Sequence, residues 1–250
     1  SVNIAMCGKY NSLHDAYKSI IEAFIHAGIN NACKVNVKWI DTERLESSPD
    51  VGKDFDGIDG ILIPGGFGNR GIEGKILAVE HARKNDIPFF GICLGLQCAI
   101  IEFARNVCNL KNANSTEFSK RTKFPVVSIM PNQRSLSKKG ATMRLGSYSC
   151  SVKSSTKASN AYRSRKINER HRHRYEVNNK YLARMKKKGL IVSGVNEDLN
   201  LVEMIEIDSH RWFIGVQFHP ELKSRIVKVH PLFDGFIKAS IEFNESSTQS

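Results

Sequence analysis

Phe89-Phe90-Gly91-Ile92-Cys93-Leu94-Gly95 changes character at its cysteine. An apolar strand pattern, Ile87–Ile92, runs straight into a helical one, Leu94 to Arg105, with a glycine two residues to either side of Cys93. That is the strand–turn–helix order of a nucleophile elbow, with Cys in place of Ser. A turn this sharp crowds the backbone, so side chains at 91 or 95 would collide with it. The position also activates the sulfur, because the positive end of a helix dipole favours thiolate. A lone cysteine is more often a small buried apolar residue, a reading that suits Cys98 and Cys108. The flanking glycines and the change of period set Cys93 apart.

Outward from the elbow, strand and helix patterns alternate. Val2–Cys7, Val35–Ile40 and Ile58–Pro64 read as strands. Ser12-Leu13-His14-Asp15 is an N-cap candidate, and apolar residues from Ala16 to Ala27 follow at helical spacing, with Gly28 placed as a stop. A helix is expected over Ile72–Lys84. This order predicts an α/β fold: a mostly parallel central sheet with helices on both faces, plus a small additional antiparallel region. Short strands are expected at Pro125–Met130, Met143–Val152 and Arg174–Val177, then a helix near Lys180–Lys187. Strands Leu190–Val195, Leu201–Ile207 and Trp212–Phe218 and a helix His230–Phe243 complete the pattern. The expected organisation is one domain over 1–243 and a frayed polar tail over 244–250.

A thiolate nucleophile needs a proton partner and a group to orient it. Gly215-Val216-Gln217-Phe218-His219-Pro220-Glu221 supplies both: a strand ends at His219, and Pro220 stiffens the link to Glu221, which can fix the ring's tautomer. Pro64-Gly65-Gly66-Phe67-Gly68 ends a neighbouring strand, so the N–H groups of Gly66 and Leu94 could together stabilise an oxyanion. Read alone, that glycine-rich stretch is equally a plain turn.

Composition narrows the class. With 250 residues, 41% hydrophobic and 25% charged, the chain has ample material for a core, which excludes disorder and collagen-like repeats. No apolar run is long enough to span a membrane, and no secretory signal opens the chain. The six cysteines show neither CxxC pairs nor, with the histidines, zinc-ligand spacing. Reduced thiols in a cytoplasmic setting and no metal site are therefore expected. The net charge of +12 is local: from Arg134 to Lys188 there are 17 Lys/Arg against two acids, Glu169 and Glu176. Such a segment could meet nucleic acid, nucleotide phosphates or an acidic partner, or could be a solvated loop. Its aromatics are few, Tyr148, Tyr162 and Tyr175 among them, and it carries no binding motif, which argues against nucleic acid.

In their order, PGGFG, GICLG and FHPE resemble the class I glutamine amidotransferases. Three further stretches, Asn112–Phe118 (NANSTEF), Ala141–Gly146 (ATMRLG) and Glu169–Asn178 (ERHRHRYEVN), resemble the glutaminase domains of CTP synthases. The resemblance runs from Val2 to about Phe243. It implies hydrolysis of L-glutamine by Cys93, His219 and Glu221. It further implies substrate binding by Gly66, Leu94, Gly95, Leu96 and Gln97, with Glu117 on the α-ammonium and Arg174 on the α-carboxylate. Arg170 and Arg172 are better read as salt-bridged surface arginines. The family's separate synthetase domain uses ATP and Mg²⁺ to aminate UTP. No GxxxxGK[ST] loop occurs here, and the chain starts at Ser1, so it reads as the C-terminal half of a larger enzyme, which the resemblance implies to be a homo-oligomer. GTP is implied as allosteric activator, with Thr142 and Arg144 in the lid that faces it. Another amidotransferase, a γ-glutamyl hydrolase or a basic nucleic-acid module are the alternatives; NANSTEF and RHRHRYE argue against the first two.

Overall fold

The computed structural model describes residues 1–8, 17–129 and 143–248. Its centre is a nine-stranded sheet in the order β2-β1-β3-β4-β12-β11-β10-β7-β8. Strands β1 (Val2–Gly8), β2 (Val35–Asp41), β3 (Gly60–Ile63), β4 (Phe89–Ile92) and β12 (Phe213–Val216) are mutually parallel. Beyond β12 the sheet continues antiparallel through β11 (Leu201–Ile207), β10 (Leu190–Asn196), β7 (Arg144–Val152) and β8 (Lys166–His173). A separate small sheet joins β5 (Asn114–Ser115), β6 (Pro125–Ser128) and β9 (Glu176–Val177). The α/β class holds, while most of the antiparallel part belongs to the main sheet.

Both faces of that sheet are covered, as buried parallel strands require. Alternation along β4 sends Phe89 to one side and Phe90 to the other. Phe89 stacks on Phe213, ring centres 4.4 Å apart, in the layer beneath the helices Ile72–Lys84 and Leu94–Glu102. Phe90 packs edge-on to Phe233, which meets Phe24 in the same way, joining the helices Lys18–Asn30 and Pro231–Thr248 across the opposite face. None of the described helices is long and apolar enough to cross a membrane.

Several expected boundaries shift for local reasons. Gly28 lies inside its helix, which runs on to Asn30; a Cβ there would sit 2.6 Å from the Cys33 carbonyl, so the glycine permits a close crossing. The helix begun at Leu94 passes into a π turn, Phe103–Val107. The last helix reaches Thr248, through the expected frayed tail, and Asn244 ties it to Asp59 at 2.9 Å. The N-cap candidate over Ser12–Asp15 lies outside the described residues.

Candidate active site

Cys93 stands at the end of β4 with φ 52° and ψ −96°, a conformation L residues seldom adopt, and caps the helix Leu94–Glu102. Strain of this kind typically costs about 1–3 kcal/mol and persists only where the surroundings hold it. Here the Cys93 N–H donates to Val216 of β12 at 2.7 Å. The glycines behave as the spacing predicts. A Cβ on Gly91 would lie 2.7 Å from the Gly95 carbonyl carbon, and one on Gly95 only 2.4 Å from the Ile63 carbonyl oxygen of β3. Gly95 is therefore a packing residue, and Leu96 is fully buried in the core; neither lines the cavity beside the sulfur. Both were expected among the substrate-binding residues; as placed, they pack the turn and the core rather than the cavity wall.

That cavity has a volume of about 590 Å³, within the usual range for small-molecule sites. Gly66, Leu94, Gln97, Glu117 and Arg174, far apart in sequence, all line it with Cys93. A carboxylate and a guanidinium are thus available to one zwitterionic ligand. The Glu117 carboxylate accepts from the Gly68 N–H at 3.3 Å. The Gln97 amide is turned inward, donating to the Tyr175 carbonyl and to Gln217 Oε1.

His219 arrives from the far side. Its backbone N–H donates to the Arg170 carbonyl of β8 at 2.8 Å, and its Nδ1 donates to Glu221 Oε1 at 2.7 Å within the turn begun by Pro220. Nε2 makes no hydrogen bond of standard length among the described residues. Burial disfavours a charged ring, but Cys93 and Glu221 outweigh it and raise the His219 pKa from 6.5 to about 10. A ring this basic can hold the cysteine's proton. By contrast, burial pushes the Cys98 and Cys7 thiols up to about 12.

Three contributors escaped the sequence reading. Gln217, fully buried, brings its Nε2 to 3.7 Å from Cys93 Sγ. Arg172, expected as a salt-bridged surface arginine, is exposed but makes no ion pair among the described residues; it lines the cavity on each side of Cys93, its guanidinium 5.9 Å from the Phe67 ring centre. Phe67, half exposed, lines both as well. The alternation Arg170–His171–Arg172–His173 along β8 was the available signal.

Arg144 corrects the expected lid. It is buried, with its guanidinium on Glu203 at 2.8 Å and Glu176 at 3.2 Å, so it turns inward rather than towards a nucleotide. Burial raises both carboxyls against the opposing pull of Arg144, Glu176 to about 8. Thr142 lies outside the described residues.

Residues 12–239 match the family model for glutamine amidotransferase class-I. The chain therefore belongs to the class I glutamine amidotransferases. Within that family its similarity is to CTP synthases. It is 58% identical over 243 residues to a CTP synthase of Chlorobaculum parvum, covering 97% of this chain and 43% of that relative. A Chlorobaculum tepidum CTP synthase is 56% identical over 249 residues, with 99% and 44% covered. The chain thus spans less than half the length of these relatives. Among solved structures, the glutaminase domain of Trypanosoma brucei CTPS with bound acivicin superposes with a TM-score of 0.91 at 39% identity, covering 97% of this chain and 94% of that one. A glutamine amidotransferase from Thermotoga maritima, 13% identical with a TM-score of 0.55 over 98% of each chain, shares the fold.

Proposed function

We propose that this chain hydrolyses L-glutamine to glutamate and ammonia, with Cys93, His219 and Glu221 as the reacting triad. The observation that carries the reading is His219, held by Glu221 and raised to about 10 beside a strained cysteine at the cavity. The Cys93 proton passes to His219, and the sulfur then attacks the side-chain amide carbon. The carbonyl becomes an oxyanion beside the amides of Gly66 and Leu94. As the C–N bond breaks, His219 returns the proton to the departing ammonia, leaving a thioester. Water then adds, giving its proton to His219; the C–S bond breaks, glutamate leaves, and the sulfur recovers its starting state. Glu221 stabilises the charged ring throughout. Glu117 and Arg174 hold the α-ammonium and α-carboxylate, so that glutamine is gripped by its backbone while its amide reaches the sulfur.

By its similarity to CTP synthases, the ammonia serves the amination of UTP to CTP by ATP and Mg²⁺ in a partner synthetase domain of a homo-oligomer. GTP as activator belongs to the same proposal; Arg144, as placed, does not fit it, and no step here runs through GTP, ATP or Mg²⁺. Cys93→Ala tests the core of the reading, since it removes the nucleophile with little change of volume. Ammonia release from glutamine should vanish while the circular dichroism spectrum and melting temperature stay near wild type. A glutamine-analogue electrophile should label Cys93 alone; hydrolysis that survives Cys93→Ala overturns the triad.

A further inference from the structure

We propose that Gln217 belongs to the reaction centre, where its side-chain amide donates to the Cys93 sulfur and holds that sulfur as an anion towards the cavity. The inference rests on the reading of Cys93 as nucleophile and adds to it a neutral donor that no triad residue supplies. Gln217 is fully buried just beyond β12, and its backbone N–H donates to the Glu203 carbonyl at 2.9 Å, so its position is set by the sheet. Its Nε2 lies 3.7 Å from Sγ, hydrogen-bond distance for sulfur.

Which end of a carboxamide faces the sulfur is normally ambiguous. Here a chain of contacts decides it. The Tyr175 carbonyl can only accept, so the group 3.2 Å from it on Gln97 must be the NH₂. The same NH₂ reaches Gln217 at 3.4 Å, which must therefore present its oxygen there. The NH₂ of Gln217 is left facing Cys93. His173 Nδ1 meets the same Tyr175 carbonyl at 3.1 Å, fixing the start of the relay from a second side. Gln97 is in this arrangement a positioning residue for Gln217.

An amide N–H suits this place. It stabilises negative charge on sulfur yet cannot give up its proton, so it never competes with His219 for the acid–base role. Its contribution falls where the thiolate forms before attack and where it is expelled when the thioester breaks.

The test is alkylation of Cys93 by iodoacetamide, without glutamine, followed by peptide mass spectrometry from about pH 5 to about pH 9. In Gln217→Met, of similar length but without the donor, the rate–pH profile should move to higher pH. The kcat for glutamine should fall on the order of 10- to 100-fold, as for loss of one hydrogen bond to a charged group, with KM nearly unchanged. A purely structural Gln217 would lower the melting temperature and leave the alkylation profile in place; that result overturns the proposal. Should Gln217→Met fail to fold, Gln97→Met decides. It frees the Gln217 amide to turn and should shift the profile in the same direction, and an unmoved profile is again fatal. Because alkylation needs no glutamine, a shifted profile in a chain that releases no ammonia would keep Gln217 in place and refute the proposed hydrolysis instead.

Discussion

The two halves of the main sheet solve opposite problems. In the parallel half, β3, β4 and β12 are apolar, and what they position is strain: Cys93 at positive φ over two glycines that admit no side chain. In the antiparallel half, β7, β8 and β11 carry charge into the interior. Arg144, Glu203, Glu169, His171 and His173 are all buried there. The first half turns one sulfur to the cavity from an apolar frame. The second builds a polar frame that holds His219 by the Arg170 carbonyl and Gln217 by the Glu203 carbonyl. Reactivity and its support are thus made of contrasting materials.

That contrast can be broken from either side. The largest effect is expected for Gly95→Ala, which forces a methyl to within 2.4 Å of the Ile63 carbonyl. The elbow must open, with a loss of about 3–5 kcal/mol in urea denaturation and of Cys93 labelling together. On the polar side, Arg144→Met strands Glu176 and Glu203 without their cation. A loss of similar size, about 3–5 kcal/mol, is expected, because a buried carboxyl is left unpaired. Here the Cys93 backbone turn should survive wherever the protein remains folded, as read by selective labelling. Retention of wild-type stability in Arg144→Met would mean that the polar frame contributes nothing.

Just beyond β8, at exposed Arg174, Arg174→Ala touches neither half's interior. It should weaken glutamine binding by about 2–3 kcal/mol, roughly a hundredfold in KM, with the melting temperature unmoved. Unchanged kinetics would transfer the carboxylate to Arg172. The smallest effect concerns acid. Burial, with Arg144, His173 and His219 nearby, lowers the His171 pKa to about 2. The folded protein therefore resists a proton that the unfolded chain accepts near 6.5, so this group's stability is intact above pH 6.5 and declines as pH falls towards 2. Between pH 6.5 and 5 the decline should be on the order of 1–2 kcal/mol, and His171→Gln should flatten it in denaturation midpoints.

The parallel half was also the legible one. The helix Ile72–Lys84 emerges at its expected bounds because its apolar residues keep helical spacing, and the elbow shows because only glycine satisfies its crowding. Strand β8 was not expected, although Glu169, His171 and His173 alternate inward against exposed Arg170 and Arg172. The period was present, but charged and aromatic-polar residues carried it, and sequence patterns equate inward with apolar. The same blindness made Arg144 look like a solvent-facing lid cation. Burial of a charge becomes visible only once Glu176 and Glu203, distant in sequence, are brought beside it. Gln217 escaped for a related reason: its significance lies in one contact, 124 positions away along the chain.

The seam between β4 and β12 carries a consequence for how the protein comes to exist. Phe89 pairs with Phe213 and Ile92 with Val216, so the site straddles two strands made at widely separated moments of synthesis. Contacts of such long range form late, after most of the loop entropy has been surrendered. While the ribosome is still making the middle of the chain, Cys93 lacks the Val216 carbonyl that fastens its turn, and His219 does not yet exist. On the proposed triad, competence therefore waits until β12 has taken its place between β4 and β11.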